Sequence, residues 1–200
     1  TTVKGAPYKD DPLNGLTLTP SASVNPLCTG GTSVLSINVG GVTAPTYTAP
    51  PAVTNPTTDE DFSNITITQG VTTILNNTTT GGSLVGTIGT ATGTGGSYSN
   101  FTAFGPYVLN PGSTYNISLS SITQGGNFGN ALAAWIDYNR DGDFNDAGEE
   151  IFNDGATIVG PHTSTGSFTV PIGAGYGVTR LRVLVNEGTI AGPTITPSWG

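Results

Sequence analysis

In 200 residues the chain has one cysteine, one histidine, five basic side chains and no methionine. The lone Cys28 excludes an internal disulfide, so cysteine usage is silent about redox compartment. The missing methionine leads us to expect a chain that begins at a processing site or is an excerpt. Five basic residues against thirteen acidic ones give a net charge of -8. Nucleic acid and anionic membranes reward basic clusters, so neither is expected as a partner, and cations are. No apolar run approaches a bilayer-spanning length, and no charged start followed by an apolar stretch marks a signal peptide. No window carries a sustained helical period with caps.

Catalytic signatures are equally sparse. A nucleophilic triad would have to use His162, and no Gly-x-Ser-x-Gly elbow occurs. His162 follows Pro161 in a Gly- and Thr-rich stretch, which suits an exposed structural role. Cys28 lies in a turn with no basic neighbour to activate its thiol. The glycine-rich stretch Gly81 to Gly96 lacks the lysine of a phosphate loop and reads as a flexible hairpin around Leu84 to Ile88. We therefore expect no enzyme.

Glycine (30) and proline (14) are abundant, yet short of the share that signals disorder. Thr, Ser and Asn fill polar positions where an intracellular protein would carry Lys and Glu. β-Branched Thr and Val favour half-buried pleated surfaces, so the composition points to β structure outside the cell. Alternation marks strands at Val34 to Val39, Phe62 to Thr68, Tyr115 to Ser120, Ser167 to Val170 and Arg180 to Val185. Short strands with turns and no intervening helices predict an all-β, antiparallel β-sandwich of jelly-roll type.

Three segments follow. Residues 1–19 read as a linker or the tail of a preceding module, and residues 20–44 as a strand pair ending at Gly40-Gly41. Residues 45–200 form the main sandwich. Its first stretch, Ala44 to Pro56, carries four prolines and cannot lie inside a sheet.

The strongest chemical signal is one acidic stretch. Asp137, Asp141, Asp143, Asp146, Glu149, Glu150 and Asp154 supply seven of the thirteen acids. Asp137, Asn139 and Asp141 place side-chain oxygens at alternate positions before Gly142 and Asp143, the first half of an EF-hand-like calcium loop. Calcium takes six to eight hard oxygen ligands, and the glycine permits the sharp turn that brings the next carbonyl inward. The candidate ligands are Asp137, Asn139, Asp141, Asp143 through its carbonyl, and Glu149. An EF-hand's closing acid would fall on Gly148, and Glu149 lies one residue later, so a helix-loop-helix is not expected. Asp146 and Glu150 are spare acids that could support Glu149. Trp135-Ile136 beside the first ligand suits a buried strand end leading into the loop.

At this loop AWIDYNRDGDFNDAGEEIF (Ala134 to Phe152) resembles the core signature of the GEVED domain of large secreted Bacteroidota proteins. Flanking pieces agree in order: PTYTAP around Tyr47, DEDFSNITI from Asp59, YSNFT from Tyr98, LNPGSTYNISL from Leu109, then TGSFTVP and GVTRLRVLV between Thr165 and Val185. The resemblance covers Pro45 to Gly200. The family's naming motif would follow Trp199-Gly200, so its last strand is expected outside this chain, and residues 20–44 resemble the remnant of an Ig-like repeat. The resemblance implies a non-catalytic module of adhesins or other cell-surface proteins, often exported by a type IX route.

Three functions remain. The first is a calcium-stabilised extracellular module with an adhesion or spacer role, whose partners are neighbouring domains. The second is a subunit of a surface fibre or filament that assembles by strand addition. The third is a carbohydrate-binding accessory domain of a secreted hydrolase, with glycans as ligands. For that last reading Arg180 and Arg182 could meet an anionic glycan, although strand arginines commonly serve as exposed edge or pairing residues. Tyr98, Phe101, Phe104 and Tyr107 could stack on sugars, but core packing is the expected role. Asp59, Glu60 and Asp61 form a second acidic cluster, expected to cap a strand in solvent.

Overall fold

A computed structural model describes residues 17–22, 35–40, 44–48, 60–78, 100–123 and 126–196. Cys28, Asp59, Tyr98 and the Gly81 to Gly96 hairpin lie outside the described residues. The chain divides into two units, Thr1–Ala44 with Gly175–Val178, and Pro45–Ala174 with Thr179–Gly200. In the first unit β1 (Thr17–Ala22) and β2 (Leu35–Gly40) pair antiparallel, with Thr17 opposite Gly40 and Ala22 opposite Leu35.

Among the described residues the second unit holds eight strands in two antiparallel sheets. One has the order β4 (Thr72–Thr78), β3 (Asp61–Gln69), β5 (Thr114–Ile122), β9 (Thr163–Thr169). The other has the order β10 (Leu181–Glu187), β6 (Gly129–Ile136), β7 (Glu150–Asn153), and β8 (Ile158–Val159) also pairs with β6. Among the described residues the only helix is a 3-10 turn, Thr102–Phe104, and no helix is long and apolar enough to cross a membrane.

Period-two alternation explains the first sheet. Phe62, Ile65 and Ile67 of β3 and Tyr115, Ile117 and Leu119 of β5 point inward, and a bulge between Phe62 and Asn64 restores the register. The outward positions carry Thr, Ser and Asn instead of charges. Their hydroxyls meet across strands, Thr114 with Thr169 and Ser120 with Thr163, each at 2.8 Å. Such cross-strand pairs help to hold register.

Strand β6 differs because it is buried on both faces. Leu132, Ala134 and Ile136 join β3 and β5 in the main core, together with Phe168 and Val185. Ala131, Ala133 and Trp135 face the other way and are covered by Phe144, Leu184 and Ile190, with Tyr47 and Ile195 packed alongside. A strand buried on both sides reads in sequence as an unbroken apolar run, as Ala131 to Ile136 does. The two sheets thus share one core in a sandwich-like arrangement, and β6 leads directly into the acidic loop.

Several expectations need correction. Glu60 and Asp61 do not cap a strand in solvent: both are buried at the start of β3, where the Asp61 carboxylate accepts the Phe62 amide at 2.7 Å. His162 is not an exposed loop residue. Its side chain is largely buried, with Nε2 3.3 Å from Asp154 and Nδ1 3.2 Å from the Ser121 hydroxyl. Phe104 and Tyr107 are exposed, not core, and among the described residues of that aromatic stretch Phe101 is the one packed against the core.

Leu119 has no exposed surface and sits centrally in the shared core. Leu119→Ala should therefore cost about 2–5 kcal/mol of unfolding free energy, measured by urea denaturation. A loss below about 1 kcal/mol would mean that the sheets are not packed through this position.

Candidate cation loop

The loop Asp137 to Glu149 joins β6 to β7, and its ends are fixed by those strands. The Ile136 amide donates to the Glu149 carbonyl at 2.9 Å, which closes the loop base like a ladder rung. Inside, alternating Asn and Asp side chains fold back on backbone amides two residues ahead. Asn139 Oδ1 accepts the Asp141 amide at 3.0 Å, Asp141 Oδ1 accepts the Asp143 amide at 3.1 Å, and Asp143 Oδ1 accepts the Asn145 amide at 2.8 Å. These Asx turns arise because a short polar side chain can mimic a backbone carbonyl. Two glycines and one arginine take left-handed φ: Gly142 at 98°, Gly148 at 92° and Arg140 at 64°. At Gly142 a Cβ would also lie 2.7 Å from the Thr46 carbonyl oxygen, so glycine is required there twice over.

The five sequence-predicted ligands fall into two groups. Asp137 and Glu149 are buried and their carboxylates hold peptide groups. Asp137 Oδ1 accepts the Arg140 amide, and Oδ2 accepts the Gly142 amide at 3.1 Å and the Tyr47 hydroxyl at 2.7 Å. Glu149 accepts the Tyr138 amide at 3.0 Å on Oε1 and the Asp146 amide at 3.3 Å on Oε2. Asp141 and Asp143 are exposed and, with the spare acid Asp146, bring carboxylate oxygens within 4.8 Å of one another. Asn139 joins this second group through its amide nitrogen, which donates to Asp141 Oδ2 at 2.9 Å and to Asp146 Oδ2 at 2.6 Å. Glu150, the other spare acid, points to Asn153 at 3.1 Å and takes no part.

Electrostatics follow this division. The Asp143 amide, seconded by the Asn139 side chain, holds the Asp141 carboxyl below its ordinary range, so it stays ionised. Burial pushes the Glu149 carboxyl upward despite its backbone donors. Tyr138 is raised by burial, with the Glu149 charge adding to the effect, and its hydroxyl is buried with no hydrogen-bond partner. Tyr138, Asn139, Asp146 and Glu149 line one cleft, closed on its far side by Pro171, Gly173 and Ala174.

Two supports escaped the sequence reading. Phe144, in the middle of the loop, is buried against Trp135 and lies under the Arg182 guanidinium at 4.4 Å. Tyr47, ninety positions away in sequence from Asp137, packs its ring 5.5 Å from Phe144 and under Arg180 at 4.9 Å. Its phenol is pushed up to about 12 by burial, with the Asp137 carboxylate adding and Thr179 opposing. The two arginines, expected at an exposed edge, thus stack on aromatic rings. The aromatic interruption of a polar loop at Phe144 was the available signal; nothing local marks Tyr47.

This geometry separates the acids by role. Asp137→Ala would leave the Arg140 and Gly142 amides and the Tyr47 hydroxyl without their acceptor and should cost about 3–5 kcal/mol, even with a chelator present. Asp143→Ala, at an exposed position, should change chelated stability by less than about 1 kcal/mol in the same denaturation experiment. Equal losses would contradict the division.

No curated protein and no solved structure matches this chain. Residues 131–200, which contain most of β6, the acidic loop and all that follows, match the family model of the GEVED domain.

Proposed function

We propose that this chain is a non-catalytic, calcium-stabilised module of an extracellular bacterial protein, serving in adhesion or as a spacer. The observation that carries the cation reading is the meeting of Asp141, Asp143 and Asp146, with oxygens within 4.8 Å, on a loop already clamped at both ends. The donor set fits the ion: carboxylates and an Asn carbonyl are hard oxygen ligands, and calcium accepts many of them in flexible geometry. Magnesium demands tighter geometry and keeps more of its waters.

The charge balance supports the same reading. Like charges about 4 Å apart repel by roughly 1 kcal/mol in water and about 4 kcal/mol at an effective dielectric of about 20. The Asn139 amide nitrogen, placed between Asp141 and Asp146, offsets part of this with a dipole. A divalent ion offsets it with two full charges, and the Asn139 amide could turn oxygen toward the ion only by releasing the Asp141 amide that its Oδ1 accepts. Tyr138 and Glu149 add polar groups on the inner side of the cleft. We also read the two sheets as jelly-roll-like, with the acidic loop as their EF-hand-like insertion.

The extracellular assignment rests on the Thr-, Asn- and Gly-rich composition with few lysines, and on what the GEVED match implies. A second reading, strand addition into a fibre or filament, draws on β10 and β4 lying at the ends of their sheet orders.

Calorimetry on the chain in chelator and in millimolar calcium tests the cation reading. Calcium at about 100 times its Kd should add roughly 2.7 kcal/mol of stability and raise the Tm. Asp141→Ala should abolish most of that increment. An identical Tm with and without calcium would remove the ion from the account.

A further inference from the structure

The acidic loop does not stand alone: the segment Pro45 to Thr48, where the chain begins the second unit, lies across it. Its contacts run the length of the segment. The Thr46 carbonyl approaches Gly142 so closely that only a glycine fits there. The Tyr47 hydroxyl donates to Asp137 Oδ2 at 2.7 Å and lies 2.9 Å from the Thr179 hydroxyl, and its ring is held between Phe144 and Arg180. The Thr48 carbonyl accepts from Arg182 at 3.0 Å. Segment and loop are complementary in shape, hydrogen bonding and ring stacking.

The hydrogen bonds at Asp137 give this contact a consequence for the loop. An ionised carboxylate offers about four lone-pair sites. Three are taken by the Arg140 amide, the Gly142 amide and the Tyr47 hydroxyl. Tyr47 and Gly142 share Oδ2, so the remaining site is on Oδ1, and the carboxylate cannot turn without breaking bonds to both the loop and the segment. The Thr179 hydroxyl, donating to the Asp137 carbonyl, fixes the backbone of the same residue.

We propose that residues 45–48 form a strap whose docking is coupled to cation occupancy of the loop, with Tyr47 as the positioning residue that orients Asp137. This rests on the cation reading above and adds a partner segment to it. Coupling is reciprocal: if the ion orders the loop that the strap grips, the ion tightens the strap, and a docked strap tightens the ion by the same factor. Tyr47 acts one step further out than a direct hydrogen-bond partner of a ligand: it fixes Asp137, whose bonds to the Arg140 and Gly142 amides flank Asp141, so the loss expected is the lower end of the about 10–100-fold that direct partners contribute to metal binding.

Tyr47→Phe keeps the ring over Phe144 and removes the hydroxyl alone. Calcium titration calorimetry on the full chain should show about tenfold weaker binding for Y47F than for the unsubstituted chain. Hydrogen exchange should show calcium slowing the amides of residues 46–48 in the unsubstituted chain, with that slowing reduced in Y47F. A merely structural tyrosine would lower stability without altering the calcium dependence of exchange. Equal calcium affinity in both chains, or exchange at 46–48 indifferent to calcium while calcium binds, overturns the coupling. If the unsubstituted chain takes up no calcium, the cation reading fails and the coupling fails with it. Exchange at the Gly142 amide then separates the docking: faster exchange in Y47F upholds the Tyr47 contact, and unchanged exchange removes it as well.

Discussion

The buried carboxylate of Asp137 is the point on which the second unit's upper layer depends. It follows β6 directly, so its position is set by a strand packed on both faces, and it gathers donors from three places: two amides of its own loop and the hydroxyl of Tyr47. A buried anion is tolerated only when its lone pairs are met by donors, because desolvation of an isolated carboxylate costs far more than folding can supply. The loop's left-handed turn at Arg140 and the close approach of Thr46 to Gly142 make sense as the geometry that delivers those donors.

Phe144 plays the complementary apolar part. A loop of alternating acids has no hydrophobic reason to fold down, and its exposed carboxylates repel one another. Phe144 supplies that reason by inserting against Trp135 and Ala133 on the second face of β6. The loop is pinned at its start by Asp137, at its middle by Phe144 and at its end by Glu149, and the three remaining acids are carried on the segments between. They meet because their anchors are fixed.

Much of this was legible in sequence, and the reasons are local. β3, β5, β9 and β10 declare themselves through alternation, whereas the apolar run of β6 could pass for a short helix and reads as a strand only because Trp135-Ile136 adjoins the acidic loop. Strands β4, β7 and β8 escaped notice because they are short or lie in stretches where Thr and Asn obscure the period. In the loop, oxygen at alternate positions before glycine identified the acidic group, but spacing could not divide it. Whether an acid serves peptide amides or solvent depends on burial, which is a property of the tertiary fold. The same limit hid the partnership of His162 with Asp154, which follows β7, and Ser121 of β5. Tyr47 was invisible as a partner for the same reason, since its contacts are made across ninety residues.

The placement of positive charge bears on what the loop can bind. The chain has five basic residues, of which Lys4 and Lys9 lie outside the described residues. Arg180 and Arg182 face rings and carbonyls: Arg180 lies over Tyr47, and Arg182 lies over Phe144 and donates to Pro193 and Thr48. That leaves Arg140 as the loop's own base, one positive charge beside seven acids between Asp137 and Asp154. A folded loop that places three acidic side chains together and offers one nearby cation of its own carries a negative potential that water and salt screen only in part. A small divalent ion neutralises it at short range, whereas a bulky basic ligand would have to reach past the Asx turns that hold the backbone. The scarcity of lysine and arginine and the crowding of aspartate thus act in the same direction, and on the proposed cation reading the neutralising charge comes from outside.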